Sequence, residues 1–284
     1  MESTELQLRD EHVAACLALS GSANWNQNEA DWRLMLEFGR GWGIALADRT
    51  LAATTIVLPY GSFAWVSMVL VLPEHRGKGY ATRLLRLALA DLKNRGQTPI
   101  LDATPAGHEV YVQEGFRDTW GFNRHALARD CNASLLSKGA RKLSDSDWPE
   151  VLALDSAAFG ASREVLLRAL ARRLPDAALV CERQGRLTGF LLGRDGREAR
   201  QLGPLVARDA LSAQDLLATA LSAVAPPLHI DLADREVEFR SWLETLGFVF
   251  QRPFTRMVHA DTGDAARAPG DASLVFCPAG PELG

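Results

Sequence analysis

The sequence predicts a mixed α/β fold that is built twice along the chain. Its 284 residues are enough for two domains of ordinary size. Apolar runs typical of strands alternate with amphipathic segments typical of helices, which is the pattern of a mixed sheet covered by helices. A shift of 132 residues superimposes Gly115-Phe116 on Gly247-Phe248 and Leu84-Leu85 on Leu216-Leu217. We interpret the second half as a degenerate repeat of the first.

The repeat and the local composition divide the chain into three predicted segments. Residues 1–131 form an N-terminal domain, residues 132–262 form a second domain of the same kind, and residues 263–284 form an irregular tail. The boundary rests on a small, polar stretch at 132–140 that is typical of a linker. The tail is rich in Gly, Ala, Asp and Pro, and its end contains one short strand-like piece.

The composition excludes several classes of function. Hydrophobic residues make up 47% of the chain, charged residues make up 23%, and the formal net charge is −4. This balance gives no general attraction to nucleic acid or to anionic membranes. The longest apolar stretch, residues 64–73, is too short to span a bilayer, which needs about 20 residues. We therefore expect no nucleic-acid partner and no membrane association.

The cysteines and the N-terminus indicate the compartment in which the protein works. The four cysteines are far apart and form no CxxC pair, which favours free thiols in a reducing compartment over disulfides or a metal site. The N-terminal segment is polar and acidic and does not resemble a signal peptide. We expect a cytoplasmic protein without a bound metal, either a monomer or a homodimer.

Hydrophobic periodicity and turn residues predict the elements of the first half. Trp32, Met35 and Leu36 recur at helical spacing, and the nearly continuous apolar run at 63–72 suits a strand in the buried middle of a sheet. The predicted elements are a short strand and a helix within 6–20, a helix at 29–39, strands at 41–48, 51–58 and 63–72, a helix at 80–93, a strand at 99–103, a helix at 107–114 and a hairpin at 116–127.

The same patterns predict a similar series in the second half. Its elements are a strand after residue 140, helices from Trp148 and at 162–174, strands at 177–182 and 187–193, a strand, turn and helix across 201–224, a strand at 228–232, a helix that ends in Leu246-Gly247-Phe248, and a strand from Phe250.

The segment Arg76-Gly77-Lys78-Gly79-Tyr80-Ala81 carries the clearest chemistry. It joins a buried strand to an amphipathic helix, and a helix N-terminus presents unpaired N–H groups and a partial positive charge. The two glycines permit a left-handed backbone and the close approach of a ligand, while Arg76 and Lys78 add full charges. These features predict a pyrophosphate site, with a tight turn and solvated basic residues as the alternative. The segment is not a Walker P-loop, because GxxxxGK[ST] is absent.

The sequence resembles the GNAT superfamily of N-acetyltransferases. The matches to V-x-P, R-x-x-G-x-A and Y-x-x-x-G-F are Val71, Pro73, Arg76, Gly79, Ala81, Tyr111, Gly115 and Phe116. The resemblance covers about residues 6–128, and within the superfamily the chain is similar to tandem-domain members. It implies two GNAT-like acyl-CoA N-acyltransferase domains, of which the first uses acetyl-CoA as co-substrate.

The resemblance implies where acetyl-CoA lies. The pantetheine arm would occupy a V-shaped split between the strand ending at Leu72 and the strand containing Ile100. A bulge in the first strand would aim one N–H at the thioester carbonyl and stabilise the oxyanion of the tetrahedral intermediate. Thr104 stands where many relatives carry an Asn that contacts the arm. The implied cofactor-binding residues are Val69, Leu70, Val71, Arg76, Gly77, Lys78, Gly79, Tyr80, Ala81, Thr82 and Thr104.

Amide formation needs both a proton acceptor and a proton donor. A free alkylamine with a pKa near 10 is only about 0.1% neutral at pH 7, so a group must take its proton. Many relatives place a Glu where this chain has Ser67, which cannot serve as a base. The candidates are Asp102, His108 or a water relay. Tyr111 matches the family's tyrosine general acid for the leaving CoA thiolate, and an aromatic residue packed under the loop is the alternative.

The second half has lost the phosphate-binding pattern. At the same shift, Asp209, Ala210 and Leu211 replace Gly77, Lys78 and Gly79, so we expect no CoA there. Its expected role is to complete the acceptor pocket or to stabilise the first domain. The residues assigned to the acceptor are Trp25, Ser67, Arg252, Phe254 and Arg256. The arginines would suit a carboxylate-bearing acceptor, and a terminal strand with solvated arginines is the alternative.

The predicted function is an N-acetyltransferase that moves an acetyl group from acetyl-CoA to the amine of a small molecule by direct transfer. A non-catalytic acyl-CoA-binding or regulatory module is one alternative, because Ser67 replaces the usual Glu. Acetylation of a protein lysine or N-terminus is another.

Overall fold

A computed structural model describes residues 3–131, 139–260 and 267–284, and it has the mixed α/β class that the sequence predicts. The elements of the first half are β1 (Ser3–Gln7), α1 (Val13–Ser22), α2 (Glu29–Phe38), β2 (Arg40–Leu46), β3 (Leu51–Tyr60), β4 (Phe63–Val71), α3 (Tyr80–Asn94), β5 (Thr98–Ala103), α4 (Pro105–Gln113) and β6 (Phe116–Leu127). Residues 132–138 of the predicted linker and 263–266 of the predicted tail lie outside the described residues.

The second half contains the predicted series of strands and helices. Its elements are β7 (Ala140–Lys142), α5 (Trp148–Phe159), α6 (Glu164–Arg173), β8 (Leu179–Arg183), β9 (Arg186–Arg194), β10 (Arg200–Ala207), α7 (Ala210–Leu221), β11 (Leu228–Ala233), α8 (Val237–Thr245), β12 (Val249–His259) and β13 (Val275–Cys277). The strand-like piece predicted at the end of the tail is β13.

The prediction of a hairpin at 116–127 is wrong. These residues form the single strand β6, whose last six residues, 122–127, pair antiparallel with residues 228–233 of β11. A hairpin would reverse the chain inside this pairing. The partner strand lies far away in the sequence, so a local pattern could not reveal it.

Packing divides the chain into two compact units. The first unit comprises the described residues of Met1–Asp118 and Met257–Ala266 together with Leu283, and the second comprises those of Thr119–Arg256 and Arg267–Glu282 together with Gly284. The division falls inside β6 and β12, so each unit contains part of a strand from both halves of the sequence. The domain boundaries inferred from the sequence, at 131 and 262, stay a prediction.

The first unit is built on strands β1 to β5, paired in chain order. Neighbouring strands are antiparallel except for β4 and β5, which are parallel. Leu85, Ala88 and Leu92 form an apolar stripe on α3 and pack against Val66 and Phe116. This packing fixes the N-terminus of α3 at the end of β4.

The second unit is built on the order β6, β11, β10, β9, β8 and β7, with β13 added to β10. Leu216 of α7 and Phe239 of α8 belong to the same buried cluster as Leu202 and Leu205 of β10 and Ile230 of β11. One face of this sheet is therefore apolar and covered by helices.

The helices and the cysteine thiols can be compared with two expectations from the sequence, which concern membrane spans and disulfides. In the described part of the chain, every helix falls short of the length and apolar character that crossing a bilayer requires. All four cysteines are free thiols, and three of them, Cys16, Cys181 and Cys277, are buried. Burial raises the pKa of Cys16 to about 12, so this thiol is inert at neutral pH.

Candidate functional site

The glycine-rich turn between β4 and α3 is open on its outer side. Gly77 and Gly79 have φ angles of +73° and +77°, which side-chain-bearing residues rarely adopt. A Cβ added to either glycine would meet no protein atom within 4 Å. The glycines therefore serve the backbone conformation, and space for a ligand lies directly beside them.

Gly79 is also the N-cap of α3, and its carbonyl accepts the first helical hydrogen bond, from the amide of Arg83. The amides of the first turn, which contains Tyr80, Ala81 and Thr82, have no partner within the helix. Their N–H groups and the helix dipole favour an anion at this end. The first turn of α3 thus has the form of an anion site.

The two basic residues of the turn are exposed, and each contacts a group other than a carboxylate. Arg76 Nε donates to the carbonyl of Val71 at 3.3 Å, and Lys78 Nζ lies 3.0 Å from Nδ1 of His75. The structure describes no carboxylate paired with either cation. Both charges remain available for a ligand anion at the turn.

Strands β4 and β5 separate after a short ladder. The pairs run from Phe63 with Thr98 to Trp65 with Ile100, and β4 then continues to Val71 while β5 continues to Ala103. The split that the resemblance implies is therefore present. Val69, Leu70 and Val71 lie on the part of β4 beyond the ladder.

Strand β4 contains the expected bulge. Ile56 of β3 pairs with Ser67 and Thr54 pairs with Leu70, so two residues of β4 lie opposite one residue of β3. Met68, inside the bulge, has a φ of +51°. Thr54 Oγ1 donates to the Met68 carbonyl at 2.9 Å, and this buried hydrogen bond holds the bulge from the neighbouring strand.

Tyr111 lies on α4 with its ring edge-on to Phe116, at a centroid distance of 5.9 Å. Burial raises the pKa of the Tyr111 phenol to about 12, so it keeps its proton through the neutral range. Within the described residues, no hydrogen bond to its hydroxyl is formed. The phenol is therefore a proton donor that has no acceptor among the described residues.

The candidate bases have different surroundings. Ser67 is buried, and its Oγ has no hydrogen-bond partner among the described residues. Asp102 is half-buried at the end of β5. His108 Nε2 lies 2.8 Å from Oδ1 of Asp118, so the carboxylate orients the ring. Thr104, between Asp102 and His108 in the chain, is the N-cap of α4.

Trp25 and Trp32 have distinct places in the first unit. Trp32 is fully buried, and its indole N–H donates to Ser20 Oγ at 3.2 Å, so Trp32 is a core residue. Trp25 is partly exposed. It precedes Gln27, which is buried and whose Oε1 has no partner in the described part of the chain.

The second unit fills both places that are open in the first. At the N-terminus of α7, the side chain of Asp209 accepts a hydrogen bond of 2.7 Å from the amide of Ser212. A carboxylate of the chain itself thus occupies the anion position.

The edge of β10 is occupied as well. Residues 200–202 of β10 pair in parallel with 228–230 of β11, and then Leu205 and Val206 pair with Cys277 and Val275 of β13. The chain's own strand β13 pairs here, whereas the corresponding edge of β4 has no strand partner among the described residues. The sequence showed only a strand-like piece here, with no sign of its partner.

The three residues assigned to the acceptor in the second unit alternate along β12. Phe254 stacks on Phe122 at 5.1 Å, and the Arg256 guanidinium lies 4.4 Å from the Trp120 ring centre. Arg256 is buried, so the alternative of solvated arginines is wrong for it. Arg252 is half-buried and forms no hydrogen bond or ion pair with the described residues.

Two family models match the chain. One described as "Acetyltransferase (GNAT) family" matches residues 8–116, and one described as "Acetyltransferase (GNAT) domain" matches residues 151–268. The first match includes the open glycine turn and the second includes its altered counterpart.

Similar proteins support the same assignment. The uncharacterized N-acetyltransferase YitH of Bacillus subtilis (strain 168) is 23% identical over 251 residues, 86% of this chain and 86% of that protein. The holothin acyltransferase of Pseudoalteromonas sp. (strain SANK 73390) is 25% identical over 203 residues, 71% of this chain and 68% of that one. A putative acetyltransferase from Pyrococcus horikoshii shares the fold over 99% of this chain and 96% of its own, with a TM-score of 0.81 and 18% identity. The chain belongs to the GNAT superfamily and carries two GNAT domains in tandem.

Proposed function

We propose that the protein transfers an acetyl group from acetyl-CoA to the amine of a small molecule by direct transfer, and that the first unit carries the reaction. The observation that carries this proposal is the open glycine turn beside a split, bulged β4. A relative named for acyl transfer to holothin supports a small-molecule acceptor.

The residues of the first unit fit the cofactor. Gly77 and Gly79 leave space for the diphosphate, the first turn of α3 supplies N–H donors, and Arg76 and Lys78 supply charge. The backbone edge at 69–71 would pair with the pantetheine arm, and Thr104 would contact it. Acetyl-CoA, when bound, supplies the thioester, and the protein orients it and stabilises the charge that develops on its carbonyl oxygen.

The bulge and Tyr111 act on different charges, the bulge on the thioester oxygen and Tyr111 on the leaving thiolate. An N–H at the bulge would donate to the charge that develops on the thioester oxygen, a role worth roughly 3 kcal/mol in other enzymes. Tyr111 holds a proton that it can give to the leaving thiolate. Asp102 accepts the proton of the amine in this proposal, with the His108–Asp118 pair or a water relay as the rival route.

One CoA per chain is part of the proposal. Asp209 and β13 occupy, in the second unit, the two places that CoA needs. Residues 1–131 are then the cofactor-binding domain, residues 132–262 a GNAT domain without CoA, and residues 263–284 a tail whose β13 closes the second sheet's edge.

The test is CoA release from acetyl-CoA in the presence of a panel of small amines, with calorimetry of CoA binding beside it. We expect a stoichiometry of one CoA per chain and turnover with at least one amine. A stoichiometry of two, or no binding at all, contradicts the proposal.

The second candidate, a non-catalytic acyl-CoA-binding module, is favoured by Ser67 in place of the usual Glu. Tyr111→Phe separates the two. A catalyst loses CoA release by about tenfold or more, in line with general acid catalysis, and keeps its affinity for CoA. A binding module shows tight CoA binding, no turnover with any amine, and no change on the substitution.

A further inference from the structure

One face of the second unit's sheet carries a buried layer of charged and polar side chains. Asp231 of β11 lies opposite Arg124 of β6, and His229 lies two residues earlier on β11. Gln201 of β10 pairs with His229 on one side and with Arg194 of β9 on the other. Because alternate residues of a strand share a face, all five lie opposite the apolar core that contains Ile230 and Leu202.

Much of this layer is satisfied within itself. Arg124 donates two hydrogen bonds of 2.8 Å to Asp231, and Gln201 Nε2 donates to Asp231 at 3.0 Å. Arg194 forms an ion pair with Glu282 of the tail. All five of these side chains are more than nine-tenths buried, so each remaining polar atom needs a partner.

Several polar atoms in and beside the layer have no such partner. Among the described residues, no hydrogen bond reaches Nδ1 of His229, Oε1 of Gln201, Oε2 of Glu282 or Nε of Arg252. Folded proteins pair nearly all buried polar atoms with protein, water or ligand. Donors and acceptors are both present in this set.

Arg252 gives the layer an excess of positive charge. Its guanidinium lies 5.6 Å from the Phe254 ring, and that of Arg124 lies 5.3 Å from the same ring. The layer contains three arginines against the carboxylates of Asp231 and Glu282. Burial, followed by the charge of Arg124, lowers the pKa of His229 to about 4, so His229 is neutral. Glu198 is a further carboxylate that acts on the charge of Arg252, but it is exposed and paired with Arg197.

We propose that this charged layer of the second unit binds a small molecule through its carboxylate, with Arg252 as the anchor. The planar fork of a guanidinium matches a carboxylate, and a half-buried position strengthens the pair. Gln201 Oε1 and Glu282 Oε2 accept hydrogen bonds from N–H or O–H groups of the same ligand. The ligand class is therefore a small amino acid or hydroxy acid. This goes beyond the proposed function, because it assigns a ligand to the unit without CoA.

The test uses the full chain without acetyl-CoA, so its failure leaves acetyl transfer untouched. Thermal unfolding is followed with a panel of small amino acids and hydroxy acids, with the amide counterpart of each, and with sodium phosphate, all at one ionic strength. We expect at least one acid to raise the melting temperature with increasing concentration, while its amide does not. If no acid stabilises the chain, or if phosphate stabilises it equally, the proposal fails.

The substitution Arg252→Met tests whether Arg252 binds the carboxylate of the ligand. We expect affinity for the stabilising acid to fall about tenfold or more, because a charge-assisted pair is lost. The ligand-free variant should melt at the same or a higher temperature, since an unpaired cation near Arg124 is removed. Arg186→Met, an exposed position at the start of β9, is the control and should bind as the parent does. Unchanged affinity in Arg252→Met overturns the proposal.

Discussion

Two adjacent threonines of β3 have opposite roles at the scale of single residues. Thr54 and Thr55 are both fully buried. Thr54 Oγ1 holds the Met68 carbonyl at the bulge, whereas the Thr55 hydroxyl has no partner in the described part of the chain. A left-handed conformation at a residue such as Met68 costs about 1–3 kcal/mol. The bond from Thr54 is therefore what holds the bulge in the shape that the proposed function needs.

We predict that Thr54→Val lowers kcat about tenfold while the affinity for CoA stays unchanged. Valine keeps the branched shape of the threonine side chain but cannot donate a hydrogen bond to the Met68 carbonyl. The N–H of the bulge is then no longer directed at the oxyanion. Thr54→Ser keeps the hydroxyl and should restore activity. The matched control is Thr55→Val, which removes an unpaired hydroxyl and should leave both kcat and stability unchanged or raise stability. Equal losses in the Thr54 and Thr55 variants would show that the effect is structural. The measurement is steady-state kinetics beside CoA calorimetry.

At the scale of elements, the N-termini of α3 and α7 show how one motif is kept or lost. α3 begins at Gly79, with open space beside it. α7 begins at Asp209, whose own carboxylate caps the helix. Both helices follow a strand, but residues 72–79 connect β4 to α3, whereas only residues 208–209 connect β10 to α7. An internal carboxylate satisfies the helix N-terminus as well as an external phosphate does.

We predict that Gly79→Ala weakens CoA binding by about tenfold or more. The new methyl group projects into the space that the diphosphate needs, and the left-handed φ costs about 1 kcal/mol of stability. Gly96→Ala is the matched control, because Gly96 also has a positive φ of +64° and open space around its Cβ. We expect the two variants to lose similar stability in urea unfolding, and only Gly79→Ala to lose affinity. A similar loss of affinity in both variants would contradict the assignment of the turn.

At the scale of the whole molecule, each unit uses the same framework for a different purpose. The first unit keeps β4 free beyond its ladder with β5. The second unit pairs the corresponding edge of β10 with β13. It also buries a layer of charged and polar side chains on one face of its sheet. One fold can support both outcomes, because different sites can be built on the same framework.

We predict that the charged layer makes the fold sensitive to acid. Burial and Arg124 lower the pKa of His229 to about 4, with Arg252 and Arg194 acting in the same direction and Asp231 against it. Its unfolded pKa is about 6.5, so between these values only the unfolded chain binds the proton. Stability is therefore kept above pH 6.5 and lost as the pH falls toward 4, by up to about 3 kcal/mol.

His229→Asn tests this effect through urea unfolding at pH 7 and pH 5. The variant should lose less stability than the parent on acidification. His125, whose pKa burial also lowers, stays in both proteins and cancels in the comparison. The same loss in both would remove His229 as the cause.

Much of the fold and part of the site could be predicted from the sequence, because their causes are local. Helices and strands follow from the hydrophobic period and the turn residues. The glycine turn and the start of α3 can be predicted from one short segment. The loss of the phosphate-binding pattern at Asp209 is equally local. These features gave the repeat, the order of elements and the place of the proposed cofactor site.

Only the tertiary structure decided which distant strands pair. The continuity of β6 depends on β11, the closing of the β10 edge depends on β13, and the buried pair of Arg124 and Asp231 joins residues 107 positions apart. Strand pairing and buried charge pairing carry no local periodic signal, because each is set by the partner that the folded chain brings alongside. The sequence by itself therefore determined the elements and the glycine turn, while the folded chain determined which sheet edge is closed and which charges meet.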